Sequence, residues 1–237
     1  MIVVFASRYD AGARLLTARW AGHGAQLLTC DDLSAAGWLY SLSDQAAGTA
    51  VIGGRVVPMD HIRGVVTRLP WVTERELSGI APGDRCYIAA EMSAFLVAWL
   101  SGLACPVLNR PTATCLIGPA LRREQWIGVA REVGIRTVPE TRCVRLGDAA
   151  AAVRPLAACI VWVVGGQCLG DAAPVLLQQS RKLAAAAGVA MLGVCFSDAG
   201  PDAAMVDTLT YPDLDREDLT DAMLDYILAR DRPEASN

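Results

Sequence analysis

GVVTRLPWVTERELSGIAPGDRCYIAAEMSAFLVAWLSGLACPVLNRP, residues 64–111, sets a buried strand, a long helix and a second buried strand in succession. Gly64 to Arg68 is a short β-branched run that ends in an arginine. Apolar runs of that length, bounded by turn residues, read as strands covered on both faces. Asp84 stands at the expected N-cap of a helix that runs to Ser101, with Ile88, Met92, Phe95, Leu96 and Trp99 on one face and Gly102 at the end. The strand Pro106 to Asn109 follows at once, and Arg110 and Pro111 close it. Two neighbouring parallel strands would therefore both end in an arginine, at the edge where open α/β sheets hold ligands.

The same pattern extends toward the N-terminus. Ile2 to Ala6 is a continuous apolar run, Asp10 to Trp20 has helical spacing that stops at Gly22, and Gln26 to Thr29 reads as a second strand. Thr49 to Val57 is two β-branched runs joined by Gly53-Gly54, the composition of a two-residue hairpin whose turn needs positive φ.

Toward the C-terminus, a helix from Arg123 to Val133 stops at Gly134, and the pattern then weakens between Pro139 and Pro155. A division near residue 140 is expected, with domains 1–138 and 139–237. Cys159 to Gly170 repeats the hairpin pattern around Gly165-Gly166, and Pro174 opens a helix that closes at Gly188 before the strand MLGVCF. A last helix, Arg216 to Arg230, places Leu219, Met223, Tyr226 and Ile227 on one side. Neither glycine pair leads into a helix as a phosphate-binding loop does.

Composition narrows the function classes. Hydrophobic residues make up 53% of the 237 residues and charged ones 19%, enough for a sizeable core. A net charge of −4 argues against a nucleic-acid groove or a site on an anionic membrane. The eight cysteines include no C-x-x-C pair and sit mostly in apolar runs, as buried hydrophobes in a reducing cytoplasm would. Neither a signal segment nor an apolar run long enough to span a membrane occurs. Trp71, Trp99, Trp126 and Trp162 are expected in packing rather than in stacking, and His23 and His61 are isolated.

The stretch from Gly64 to Pro111, continued by GPALRREQW from Gly118 to Trp126, resembles the N-terminal pre-ATP-grasp domain of glutathione-synthetase-like ATP-grasp ligases, a group that includes peptide-modifying and natural-product ligases. LAAAAGVAMLGVCFS and YPDLDREDLTDAMLDYIL are similar to the closing strands and helix of the ATP-grasp fold. The resemblance implies an α/β chain: a Rossmann-like pre-ATP-grasp lobe, then a reduced α+β ATP-grasp C-terminal lobe. In that family lysines hold the nucleotide phosphates, yet Lys182 is the only lysine here, and it falls within a helix. The family also presents an aspartate, a glutamate and an asparagine to magnesium. Cys195 stands at the aspartate's place, and the stretch VDTLTYP offers Asp207 but has Leu209 near the asparagine's place.

Arg68, Asn109, Arg110 and Glu91 are the candidate ligand-binding or interlobe residues, and Asp207 is the candidate metal ligand. Each has a plainer alternative: an arginine pairs with a carboxylate or a loop carbonyl, Asn109 bonds its own turn, and Glu91 lies on an exposed helix flank. Cys195, between Val194 and Phe196, is expected to be an inert core thiol. The leading expectation is a truncated, non-catalytic ATP-grasp-related protein without a cofactor, binding a peptide or small molecule, or pairing with itself or with a full-length ligase. One alternative is an ATP-dependent carboxylate–amine ligase that works through an acyl-phosphate with ATP and Mg²⁺. Another is a small-molecule-binding or redox protein that uses the crevice of the first lobe.

Overall fold

The structure, a computed structural model, describes residues 1–41, 47–138 and 157–230. Its first elements are β1 (Ile2–Phe5), α1 (Ala11–Arg19), β2 (Ala25–Leu28), α2 (Cys30–Leu33), β3 (Thr49–Ile52), β4 (Arg55–Pro58), β5 (Gly64–Thr67), α3 (Arg85–Gly102) and β6 (Val107–Leu108). There follow α4 (Arg123–Glu132), β7 (Cys159–Val164), β8 (Gln167–Leu169), α5 (Pro174–Ala186), β9 (Met191–Phe196), β10 (Met205–Leu209) and α6 (Glu217–Arg230). Two compact units result: Met1–Ala120 with the stretch that begins at Asp213, and Leu121–Pro212.

The first unit holds a parallel sheet in the order β2-β1-β5-β6. Every residue of β1 and β5 is buried, which is why both sequences are apolar without alternation. In register, Phe5 lies beside Leu28 on one side and Thr67 on the other, so three strand ends come level. The chain leaves β1 through α1 toward β2, whereas it leaves β5 through α3 toward β6 on the opposite side. The crevice between β1 and β5 is therefore the switch point of the sheet.

The core on one side of this sheet is built on α3. Leu96, Trp99 and Leu100 are fully buried, and Trp38 stands edge-on to both Phe95 and Trp99 at 5.3 and 5.5 Å. Asp84 occupies the N-cap position, but its side chain makes no capping hydrogen bond. The β3–β4 hairpin turns through Gly53 and Gly54 at φ +57° and +73°, the conformation a two-residue turn of this kind needs.

The second unit is an antiparallel sheet in the order β10-β9-β7-β8. One face is sealed by α4 and α5, whose Trp126, Ile127, Leu176 and Leu183 join Val161, Val163 and Val194 in one apolar cluster. Strand alternation sends Gly193 and Cys195 to the other face.

The expected division at 138/139 is not where packing divides the chain. The first unit ends at Ala120, residues 139–156 lie outside the described residues, and α6 packs with the first unit rather than the second. Burial of one helix face causes the last difference, because Leu219, Met223 and Ile227 are all fully buried and Ile227 lies against Gly64 of β5. Arg19 of α1 also reaches Glu217 and Asp221, each at 3.2 Å. Trp99, Trp126 and Trp162 are buried as expected, whereas Trp71 is 53% exposed. No helix among the described residues is long and apolar enough to cross a membrane.

A Cβ placed on Gly64 would come within 2.3 Å of the Ile227 side chain. Gly64→Ala should therefore lower unfolding stability by about 1–3 kcal/mol through overpacking under α6, read as a shift in the urea midpoint. An unchanged midpoint would mean that α6 yields without cost.

Candidate functional site

The two arginines singled out in the sequence do stand at the strand ends, and each is engaged there. Arg68 follows β5 and is 7% exposed, and its Nε donates to Asp10 Oδ2 at 2.8 Å. Asp10 is also the N-cap of α1, where its Oδ1 accepts from the Ala13 N–H at 2.9 Å. Arg110 follows β6 and turns back onto the end of α3. Its Nη1 donates to the carbonyls of Leu100 and Ser101, and its Nη2 to those of Leu103 and Cys105, at 3.0–3.3 Å. That guanidinium satisfies carbonyls that a helix C-terminus leaves without an intrahelical partner.

Asn109 is 1% exposed and packs against Gly118, where an added Cβ would meet its own Cβ at 3.0 Å. Glu91 lies on an exposed flank of α3. The four candidates are thus spread over a buried ion pair, a helix end, a packed turn and an exposed helix face.

A different set does gather where the sheet switches direction. Ser7 Oγ donates to Glu76 Oε1 at 2.7 Å, and Arg8 Nη2 donates to the Glu76 carbonyl and to Asp31 Oδ1, the latter at 2.6 Å. Glu76 belongs to a short 3₁₀ turn, Glu74–Glu76, and is only 4% exposed. Cys30, the first residue of α2, lies close enough that its thiol is pushed up to about 12, first by burial and then by the charge of Glu76. Ser7 and Arg8 follow the first strand after a single residue, a position that marks the crevice in sequence. Glu76 has no such mark, because its burial depends on how residues 69–84 fold back.

In the second unit Cys195 and Asp207 are directly opposed in the β9–β10 ladder, on the face away from α4 and α5. The Cys195 thiol is pushed up to about 11, chiefly by burial and then by the charge of Asp207. Asp207 Oδ1 accepts from the Thr208 N–H at 2.8 Å, and Leu209 pairs with Gly193 two steps along the ladder. Lys182 lies exposed on α5, the helix that covers the opposite face of the sheet.

Magnesium takes hard oxygen donors. A neutral thiol beside one carboxylate is a poor set of that kind, and Lys182 stands on the wrong side of the sheet to neutralise phosphates beside Asp207. These residues do not suit a magnesium–nucleotide centre. Among the described residues, no three His, Cys, Asp or Glu side chains gather as a metal-binding group.

A Rossmann-like parallel unit followed by an antiparallel α+β unit is the arrangement of ATP-grasp ligases, and solved structures show that the likeness extends along the chain. The macrocyclase MdnB from Microcystis aeruginosa MRC superposes with a TM-score of 0.70 and 14% identity, over 96% of this chain and 98% of its own. Macrocyclase MdnC from the same organism, bound with precursor peptide MdnA, gives 0.66 and 11% over 97% and 99%. A RiPP-associated ATP-grasp ligase from Chryseobacterium gregarium, in complex with ADP and a leader and core peptide, gives 0.64 and 8% over 100% and 98%. At such identities the likeness is one of fold. The expected reduction of the second lobe finds no support in alignments that run from end to end of the solved chains. Neither a protein-family model nor a curated protein matches the chain.

Two outcomes follow from the site. Arg68→Ala breaks the nearly buried ion pair with Asp10, and should cost about 3–5 kcal/mol of unfolding stability. A loss below about 1 kcal/mol, the scale of exposed pairs, would show that water replaces the guanidinium. For Cys195, the unfolded thiol ionises at its ordinary value while the folded thiol stays neutral until about pH 11. The unfolded state sheds its proton first, so stability that is complete below the ordinary thiol range is lost as pH rises toward about 11. Cys195→Ala should flatten that alkaline decline in thermal melts between pH 8 and about 10.5. An equal slope in both proteins would remove Cys195 from the linkage.

Proposed function

We propose that this chain binds a precursor peptide and takes part in joining a carboxylate of that peptide to an amine. The observation that carries this is the agreement of fold along the whole chain with peptide macrocyclases and a peptide-modifying ligase, two of them solved with their peptides. Ligation by the chain itself is the use of the peptide that the comparisons favour: a carboxylate–amine ligase supplied by ATP and Mg²⁺. ATP would supply the activation of the carboxylate. No residue of the β9–β10 ladder is assigned to holding it, because the donors there do not suit the metal.

A second reading is favoured by that same donor set. The thiol at Cys195 and the position of Lys182 on the far side of the sheet suit a protein that holds the peptide while another chain, a second copy or a complete ligase, supplies the activating step. In this reading the second unit keeps its full-length fold and works as a partner subunit without a cofactor.

Calorimetric titration of the purified chain with Mg²⁺·ATP, followed by an assay for ADP in the presence of candidate precursor peptides, tests both. Saturable nucleotide binding with peptide-dependent ADP release is the result expected of a ligase. Peptide binding without nucleotide binding at millimolar ATP assigns the holding role. Failure to bind the peptide would overturn the proposal in both forms.

A further inference from the structure

Buried polar atoms in a folded chain nearly always have a hydrogen-bond partner, and one left without is costly. Among the described residues six buried side-chain atoms lack one: Arg8 Nε, Trp20 Nε1, Thr67 Oγ1, Glu76 Oε2, Gln179 Oε1 and Ser180 Oγ. Three of the six, on Arg8, Thr67 and Glu76, belong to the carboxyl end of the parallel sheet in the first unit. Thr67 is the last residue of β5 and lies beside Phe5 in register, two residues before Ser7. Glu76 is held from one side by the Ser7 hydroxyl, and Arg8 by the Glu76 carbonyl and Asp31, so the partnered halves of these side chains fix the directions of the free halves.

The unpartnered atoms also state what they require. Glu76 Oε2 is an acceptor and needs a donor, Arg8 Nε–H is a donor and needs an acceptor, and the Thr67 hydroxyl takes either role. The neighbouring acid, Asp32, has no such need, since its oxygens accept from the Thr29 and Gly54 N–H groups at 2.9 and 2.8 Å. A group that brings a cationic donor and an oxygen acceptor a few ångströms apart answers both. The α-ammonium of an amino acid with its adjacent carboxylate or carbonyl is the smallest such group.

Access runs past Arg8. Its bridge to Asp31 is open to solvent, with 26% and 61% of the two side chains exposed, and exposed bridges contribute little to stability. Swinging Arg8 outward would break this exposed bridge and the part-buried bond to the Glu76 carbonyl, and would uncover Glu76. Beside it, Arg75 stacks on the half-exposed Tyr9 ring at 4.6 Å and forms a rim.

We propose that Arg8, Thr67 and Glu76 form a binding site for an amino-acid-type group, its ammonium donated to Glu76 and its carboxylate or carbonyl oxygen facing Arg8. The site stands on the first unit alone and needs no nucleotide, so failure to bind ATP leaves it untouched. The group comes either from a free amino acid or from the N-terminal residue of a peptide.

Three probes separate these sources: L-alanine, trialanine and N-acetyl-trialanine, each titrated into the full chain while backbone amide shifts are followed by NMR. Saturable shifts around Ser7 and Glu76 are expected with alanine if the ligand is free, or with trialanine alone if it is a peptide end. N-acetyl-trialanine should bind about tenfold more weakly or not at all, having lost the charge on its amine. Glu76→Gln keeps the oxygen that Ser7 bonds but presents a donor in place of Oε2, and should weaken binding by a similar factor. Thr67→Val provides a second variant, and since neither change removes an existing partner, both should keep the wild-type unfolding midpoint. Absence of binding by all three probes, equal binding of the acetylated peptide, or unweakened binding by Glu76→Gln would each overturn the site. A marked loss of stability in Glu76→Gln would do the same, because Oε2 would then already be satisfied within the fold.

Discussion

The ion pair between Arg68 and Asp10 ties the end of β5 to the start of α1, and most of the first unit is organised around that tie. Asp10 faces two ways, with one oxygen on the Ala13 N–H and the other on the Arg68 guanidinium. The helix therefore cannot start elsewhere without breaking a nearly buried ion pair, which is among the costlier changes a fold can suffer. Gly12 sits under the same guanidinium, where an added Cβ would lie 3.6 Å from Arg68 Nη2 and 3.3 Å from Asp10 Oδ1. With α1 fixed against β5, the level ends of β2, β1 and β5 and the crevice between them follow from the register of the ladders.

The parallel unit was legible in the sequence because its strands are buried on both faces and its helices end in glycine or follow a cap. Those signals are local, and each predicted element of that unit lies within a few residues of the observed one. Packing over long separation was not legible. The placement of α6 depends on Ile227 meeting a glycine 163 residues earlier in the chain (227 − 64), and nothing near either residue announces the meeting. Trp71 was misjudged for a related reason: a large apolar side chain between two turns carries no periodicity that tells inside from outside.

The candidate site shows the same division. That Arg68 and Arg110 would stand at strand ends was correct, since strand ends are local features. What each would hold was not decided by sequence, and the structure gives the plainer partners, a carboxylate and four carbonyls. Glu76 was passed over because TERE, residues 73–76, looks like an exposed charged turn. Burial of its last residue requires β1, β2 and the start of α3 to be in place together.

Fold and chemistry part company in the second unit. The antiparallel ladder keeps the fold that the solved ligases share, while the pair opposed on the face away from α4 and α5 is a buried thiol and a carboxylate. A ladder is held by backbone hydrogen bonds and by the apolar cluster under α4 and α5, none of which involves the side chains of Cys195 or Asp207. The side chain at such a position can therefore vary without disturbing the ladder, and a thiol there does not suit a hard cation. The first unit is the reverse case: the groups at its strand ends are fixed by the same contacts that fix the fold, so the crevice with Glu76 persists whatever the second unit does.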